Sequence, residues 1–246
     1  INTHHLHETW DRFFPNGKYR DANLTFFHEP ELLETGGGIK NIADWIKDDP
    51  VLVYNGDIIT DFPIDRLMTG HMASNNTATL AVQNHGPDLR ITVDGHRVTD
   101  VRGLIHQQQG THQFTGIYVI DPEILEIIPP NEKISIIPAF VELIKQGELG
   151  AYHVKGHPKW LDLGTRETYL EASLAIHPKV SREARISETA NIQNSWVAQN
   201  AIVESGAIIK DSILWPDTHV LQDAELTNCI VHSNSPTSGV HKSADL

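Results

Sequence analysis

Asp57 closes the turn Asn55-Gly56-Asp57 directly after the apolar run Val51-Leu52-Val53-Tyr54, and Asp162 lies within Trp160-Leu161-Asp162-Leu163-Gly164-Thr165. Two carboxylates carried to the ends of buried strands suit one hard cation, with phosphate and water completing its shell, which is the usual environment of Mg²⁺. The run rich in Val, Leu and Tyr predicts a strand buried on both faces of an open α/β sheet. Its first polar residue then emerges at the carboxyl edge, where ligands bind in such folds. Gly56 allows a sharp turn and close approach of a ligand, and Asn55 can bond the turn or a bound hydroxyl. Because these residues also favour any tight turn, the second acid carries more weight. A carboxylate between Leu161 and Leu163 needs a cation or donors, and the simple alternative, capping the helix predicted over 166–174, is a role Thr165 can fill.

Upstream, Glu29-Pro30-Glu31-Leu32-Leu33-Glu34-Thr35-Gly36-Gly37-Gly38-Ile39-Lys40 runs from a strand end through three glycines into a helical pattern of Ile39, Ile42, Ala43 and Ile46. Adjacent glycines at a helix start can present bare amides to a flat base or an anion. A flexible loop is the competing reading, and the order strand, glycines, helix, strand favours a site.

Taken in order, Glu34-Thr35-Gly36-Gly37-Gly38-Ile39, Asn55-Gly56-Asp57, Phe114-Thr115-Gly116-Ile117-Tyr118 and Trp160-Leu161-Asp162-Leu163-Gly164-Thr165 resemble the sugar-1-phosphate nucleotidyltransferases over about residues 1–174. The glycine segment is most similar to N-acetylmuramate-1-phosphate uridylyltransferases and mannose-1-phosphate guanylyltransferase-like proteins. The resemblance implies a Rossmann-like, doubly wound mixed sheet. It also implies transfer of a nucleotidyl group from UTP or GTP to a sugar 1-phosphate with release of pyrophosphate. Thr35, Gly36, Gly37, Asn55 and Gly56 would then meet the nucleotide, Asp57 and Asp162 would be catalytic residues holding Mg²⁺, and Thr115 and Gly116 would line the sugar pocket. Such in-line phosphoryl chemistry rests on positioning and charge neutralisation, without a protein nucleophile. The family's first strand, its basic glycine-rich loop and its Lys-Pro pair do not occur in the chain. Ile1-Asn2-Thr3-His4-His5 reads as the end of a second strand, which places those segments upstream of Ile1. The family's Glu-Lys-Pro sugar motif is not evident between Leu80 and Thr115, so no sugar contact is carried over there.

The 246 residues, 39% hydrophobic, suffice for two domains with a sizeable core. Nineteen basic against 32 acidic residues give a net charge of −13, which argues against nucleic-acid and anionic-membrane partners and leaves phosphate ligands in need of a cation. The single cysteine, Cys229, excludes an internal disulfide, fits a reducing, cytoplasmic compartment, and sits in an apolar pattern expected for core. No apolar run reaches the length of a membrane span, and no secretory signal is visible. The 15 histidines are scattered and predict no zinc site.

After about residue 175 the chain repeats. Val180, Ile186, Ile192, Val197, Val203, Ile209, Leu214, Val220 and Leu226 recur in steps of 6, 6 and 5. A second series, Ala184, Ala190, Trp196, Ala201, Ala207, Ile213, Thr218, Ala224 and Ile230, follows the same steps four residues later. Two inward positions per short side are what a three-sided β-helix requires. The pattern resembles the left-handed β-helix of hexapeptide-repeat proteins, its hand being taken from that resemblance. The predicted domains are therefore 1–174, a β-helix of about three turns over 175–233, and a loose tail at 234–246. So short a helix should bury its open side on the first domain or in a homo-oligomer.

Strands are predicted at 79–83, 113–120 and 150–154, a helix at 137–146, and a hairpin insertion over 84–109 around Asp94-Gly95. Two other functions fit parts of the chain. One is a non-catalytic, nucleotide-sugar-binding regulatory subunit, against which the retention of both acids counts. The other is a hexapeptide-repeat acyltransferase with His177, His219 or His232 as base, which leaves the first domain unexplained.

Overall fold

The computed structural model describes residues 1–156, 158–176, 180–233 and 235–246. They form two compact units whose boundary differs from the one drawn from sequence: Ile1–Gly56 with Asp61–Lys159, and Asp57–Thr60 with Trp160–Leu246.

The first unit is a mixed α/β, Rossmann-like body on a six-stranded sheet. Its strand order is Val51–Tyr54, His112–Ile120, Ala78–Gln83, Leu149–His153, Arg97–Val101, Leu89–Asp94. Ala78–Gln83 is buried along its whole length and pairs in parallel with Leu149–His153, while His112–Ile120 runs antiparallel to Val51–Tyr54 and Ala78–Gln83 and, at its start, to Leu89–Asp94. Near-continuous apolar sequence in Ala78–Gln83 and His112–Ile120 follows from burial on both faces, whereas Val51–Tyr54, expected to be buried likewise, lies at the sheet edge and is only half-buried. The insertion is a hairpin, Leu89–Asp94 with Arg97–Val101, turning at Asp94-Gly95 as predicted, and Gly95 has φ +57° there.

Helix Ile137–Gln146 lays Phe140 and Leu143 on this sheet, among Leu80, Val82, Tyr118 and Leu149. It ends at Gly147, whose left-handed φ of 75° lets its amide close onto the Ile144 carbonyl. Phe140 is fully buried, so Phe140→Ala would cost about 3–5 kcal/mol.

The second unit begins with a two-stranded antiparallel ribbon, Ile58–Thr60 against Trp160–Asp162, and continues through helix Arg166–Ile176. Three parallel sheets then stack at a constant offset of 17 residues: Ile186 on Val203 on Val220, Ile192 on Ile209 on Leu226, and Val197 on Leu214 on Val231. This is the expected solenoid of about three turns. Its corners are turned by Asn194, Asn200, Asp211, Asp217, Asp223 and Asn228, all at positive φ, where Asn and Asp are the side chains best tolerated. Asn194 and Asn200 donate to Asp211 and Asp217 one coil on, at 2.7 and 3.0 Å, tying the corners into ladders.

Two expectations about this part are corrected. In the second inward series, Ala201, Ala207 and Ala224 do fill the interior, but Ile213 and Ile230, with half-buried Trp196, form an outer stripe covered by Tyr169, Leu170 and Leu174 of the helix. Three large side chains at the same corner exceed the room that alanines leave inside, so they face out and require a cover. Residues 235–246 are not a loose tail: Val240–Lys242 adds a fourth strand to one sheet, and the Leu246 amide donates to the Ile230 carbonyl at 2.9 Å. The open edge of the last coil supplies unpaired backbone groups that this segment satisfies. Cys229 is buried in the solenoid core, as its pattern predicted.

Candidate functional site

The acid pair is built by the short ribbon of the second unit. Asp57 and Asp162 sit at the same end of it, Asp162 opposite Ile58, and the Leu163 amide donates to the Asp57 carbonyl at 2.8 Å. Both acids are exposed. This corrects the expectation that they leave buried strands: Asp57 follows Val51–Tyr54, a half-buried strand at the edge of the six-stranded sheet, and Asp162 ends a ribbon of two strands in which Ile59 is 43% exposed. The carboxylates converge on Gly164. A Cβ there would stand 2.9 Å from Asp162 Oδ1 and 3.0 Å from Asp57 Oδ2. The missing side chain leaves a gap flanked by two acidic oxygens, so the residues fit a hard cation that takes few protein ligands and keeps water and phosphate. Asp162 Oδ1 also accepts the Gly164 amide at 2.8 Å, which fixes its rotamer. Thr165 is the cap of the following helix: its hydroxyl accepts the Thr168 amide, and Thr168 Oγ1 accepts the Thr165 amide, both at 3.2 Å. Asp162 is thereby free of the capping role. Among the described residues no group of three or more His, Cys, Asp or Glu side chains comes together as a metal site.

The glycine segment, in the first unit, is arranged differently from its expectation. Gly36, Gly37 and Gly38 lie buried inside helix Glu34–Asn41 and do not precede it. The Gly36 and Gly37 amides both donate to the Ile134 carbonyl at 2.9 Å, the Ile134 amide donates to the Leu33 carbonyl at 3.0 Å, and the Ile136 amide donates to Thr35 Oγ1 at 3.0 Å. A Cβ on Gly36 would lie 2.8 Å from the Ser135 carbonyl oxygen, and one on Gly37 would overlap the Glu132 carbonyl oxygen. The bare backbone thus serves contact with segment 132–135. Thr35 itself is exposed. Glu29, part of the same sequence stretch, is buried and accepts Asn2 Nδ2 at 2.8 Å and the Leu33 amide at 3.0 Å. It orients the helix start.

Asn55 and Gly116 are brought together, for the Asn55 amide donates to the Gly116 carbonyl at 3.0 Å. Gly116 has φ +78° at an irregularity of register between Phe114 and Tyr118, a geometry that glycine adopts without strain. The space where a Gly56 side chain would stand is open to 4 Å. Thr115 is buried and donates its hydroxyl to the Ala81 carbonyl at 2.9 Å, so its first role is to brace adjacent strands.

Of the histidines proposed for acyl transfer, His219 faces Glu204 Oε1 at 2.8 Å, His232 lies against Trp215 at 5.9 Å between ring centroids, and His177 lies outside the described residues. The residues that sequence reasoning missed are Gly164, whose empty side-chain position makes the gap between the acids, and Arg166. The only available signal for the first was its place two residues after Asp162.

Comparisons with known proteins give the family and the fold. The model of the family "Nucleotidyl transferase" matches residues 1–179, and that of "GlmU-like, C-terminal hexapeptide" matches residues 166–238. A mannose-1-phosphate guanylyltransferase of Mycobacterium tuberculosis is 23% identical over 178 residues, 70% of this chain and 50% of that protein. A UTP–glucose-1-phosphate uridylyltransferase of Synechocystis is 25% identical over 206 residues, 75% of this chain and 52% of that protein. The chain thus spans about half the length of these relatives. The crystal structure of a putative glucose-1-phosphate thymidylyltransferase from Bacillus anthracis superposes with a TM-score of 0.60 at 16% identity, over 71% of this chain and 74% of that one, which is likeness of fold. Since the first model covers well over half of the chain, the protein belongs to the nucleotidyl transferase family.

Proposed function

We propose that the protein transfers a nucleotidyl group from a nucleoside triphosphate to a sugar 1-phosphate. A phosphate oxygen of the sugar 1-phosphate bonds to the α-phosphorus, the bond from that phosphorus to the bridging α,β-oxygen breaks, and pyrophosphate leaves. The observation that carries this reading is the convergence of Asp57 and Asp162 on the side-chain-free Gly164 in a chain of this family. Asp57 and Asp162 hold Mg²⁺, which when bound neutralises charge on the phosphate oxygens. Gly164 keeps the gap between the acids clear, and its amide holds Asp162 in place. On the order of the motifs, Thr35, Asn55 and Gly56 are assigned to the nucleotide and Thr115 and Gly116 to the sugar, while Gly36 and Gly37, first expected to meet the nucleotide, serve that end of the helix by packing on segment 132–135. UTP and GTP are the candidate donors because the relatives' names include both a uridylyltransferase and guanylyltransferases. A cytoplasmic location and a homo-oligomer formed through the solenoid belong to the same reading. Among the described residues no helix is long and apolar enough to cross a membrane.

Asp162→Asn in the full-length protein tests it. Pyrophosphate release from UTP or GTP, with glucose 1-phosphate or mannose 1-phosphate, should fall at least about 100-fold. Melting should stay within about 0.5 kcal/mol of wild type, as for an exposed site. Full turnover in Asp162→Asn defeats the assignment. The second reading, a nucleotide-sugar-binding regulatory subunit, gains nothing from the engaged amides of Gly36 and Gly37, which it would use as the enzyme would. It expects calorimetric binding of a nucleotide sugar without pyrophosphate release by the wild-type protein.

A further inference from the structure

Arg166 occupies the first turn of its helix, where the partial positive charge of the helix disfavours a cation. Its guanidinium is turned away to the solenoid. Nε donates to Asp245 Oδ1 at 2.6 Å, and one terminal nitrogen donates to the Asn228 carbonyl at 2.6 Å and the Ala244 carbonyl at 3.2 Å. The side chain is only 20% exposed. A planar fork bonded to a carboxylate and two carbonyls is a rigid connection in a way a lone surface ion pair is not. All of its partners come from the last coil and from the segment that closes it.

The other end of the same stretch is the acid pair. Thr165, directly before Arg166, is locked in reciprocal capping with Thr168. The Gly164 amide holds Asp162 Oδ1, and the Leu163 amide holds the Asp57 carbonyl. Five consecutive residues therefore connect the acids to the end of the solenoid, within one compact unit. The solenoid otherwise grips the helix through apolar contacts of Tyr169, Leu170 and Leu174, one or two turns farther on. Such contacts hold a helix on its bed, but they leave rotation and fraying of the first turn to be stopped by something else.

We propose that Arg166 is a positioning residue that latches the Asp162-bearing turn to the last coil of the solenoid and so sets the two carboxylates for their cation. The inference rests on the nucleotidyl-transfer reading for the identity of that cation, but it also predicts order in the turn without any cation. It gives the solenoid a part in the chemistry through its closing segment.

The test uses the full-length protein, with Mn²⁺ as the probe for the divalent site. Arg166→Ala should raise amide hydrogen exchange at Leu163 and Gly164 by about 10-fold. It should weaken calorimetric Mn²⁺ binding by roughly 10-fold, the scale of losing a group that orients metal ligands. Arg166→Lys, which keeps one charged donor, should restore part of both effects, and Asp245→Asn, which spares the two carbonyl contacts, should show a smaller change than Arg166→Ala. Exchange at Leu163 and Gly164 unchanged in Arg166→Ala would overturn the latch, and so would faster exchange with unaltered Mn²⁺ affinity. If the wild-type protein binds no Mn²⁺, the functional reading fails, and the exchange measurement alone decides whether Arg166 orders the turn.

Discussion

Glycines mark a motif in each of the two units, and they do opposite things. At Gly36 and Gly37 the absent side chains are replaced at once by another part of the backbone, segment 132–135, whose Ile134 carbonyl takes both amides. At Gly164 the absent side chain leaves a gap, bounded by oxygens of Asp57 and Asp162. The first is a packing solution inside a buried helix, while the second is an exposed space kept clear between like charges. The difference shows that a glycine motif does not by itself state whether the backbone approaches the protein or a ligand. The neighbouring groups decide: carbonyls and apolar side chains in one case, uncompensated carboxylates in the other.

The largest effect is expected from filling the first of these spaces. A Cβ on Gly37 would overlap the Glu132 carbonyl oxygen, and a backbone atom cannot swing aside as a side-chain tip can. Gly37→Val should destabilise the first unit by about 2–3 kcal/mol, as overpacking does. That lowers thermal melting by roughly 5–10 °C for a body of this size. Nucleotide affinity measured well below the transition should change less than stability does. The opposite result, normal melting with lost calorimetric binding of UTP and GTP, would make Gly37 a ligand-facing position and erase the contrast with Gly164.

Gly164→Ala sharpens the other side of the comparison. The new methyl group would meet flexible carboxylates and no backbone, so stability should stay within about 0.5 kcal/mol. Mn²⁺ affinity should fall roughly 10-fold, since the methyl group would fill the gap beside Asp57 and Asp162 that is proposed for the cation. A loss of stability with unchanged metal affinity would place Gly164 with Gly36 and Gly37 as a packing glycine.

The solenoid was the most legible part of the sequence because its signal is periodic. A strict offset of 17 residues places Ile192, Ile209 and Leu226 in one stack, and each coil repeats the evidence of the last. The strands and helix of the first unit were legible for the same reason, since apolar runs and helical spacing are local. Hidden from the sequence was whatever depends on distant neighbours. Nothing near Gly36 announces residues 132–135 about a hundred positions on. Trp196, Ile213 and Ile230 carry the period of inward residues yet face a helix that precedes them in the chain. Asp245 and Ala244 looked like part of a polar tail because their partner, Arg166, is 79 residues away from Asp245. The structure brings Asp57 and Asp162 together at Gly164, but not in the setting the sequence suggested. Their carboxylates are exposed at the end of a two-stranded ribbon, so the cation proposed for them rests on their convergence and not on the cost of burial.

The smallest effect concerns a region without a role in either glycine site, and it serves as a control on the electrostatic reasoning. His112 and His153 stand 5.1 Å apart by ring centroid, and His96 stacks edge-on to His153 at 5.8 Å. Burial lowers the His112 pKa below the ordinary 6.5, and the charge of protonated His153 lowers it further. Because folding depresses this pKa, the folded state resists taking the proton that the unfolded chain accepts. His112 therefore leaves stability intact above pH 6.5 and erodes it as the pH falls from there through its depressed folded value. Replacing it by Gln should flatten the curve of stability against pH in that window and leave the region above it unchanged. Replacing His153 by Asn should move the His112 titration, followed by proton NMR of the ring, only part of the way back, since burial is the larger cause. A complete return to the ordinary value in His153→Asn would make the neighbouring charge dominant.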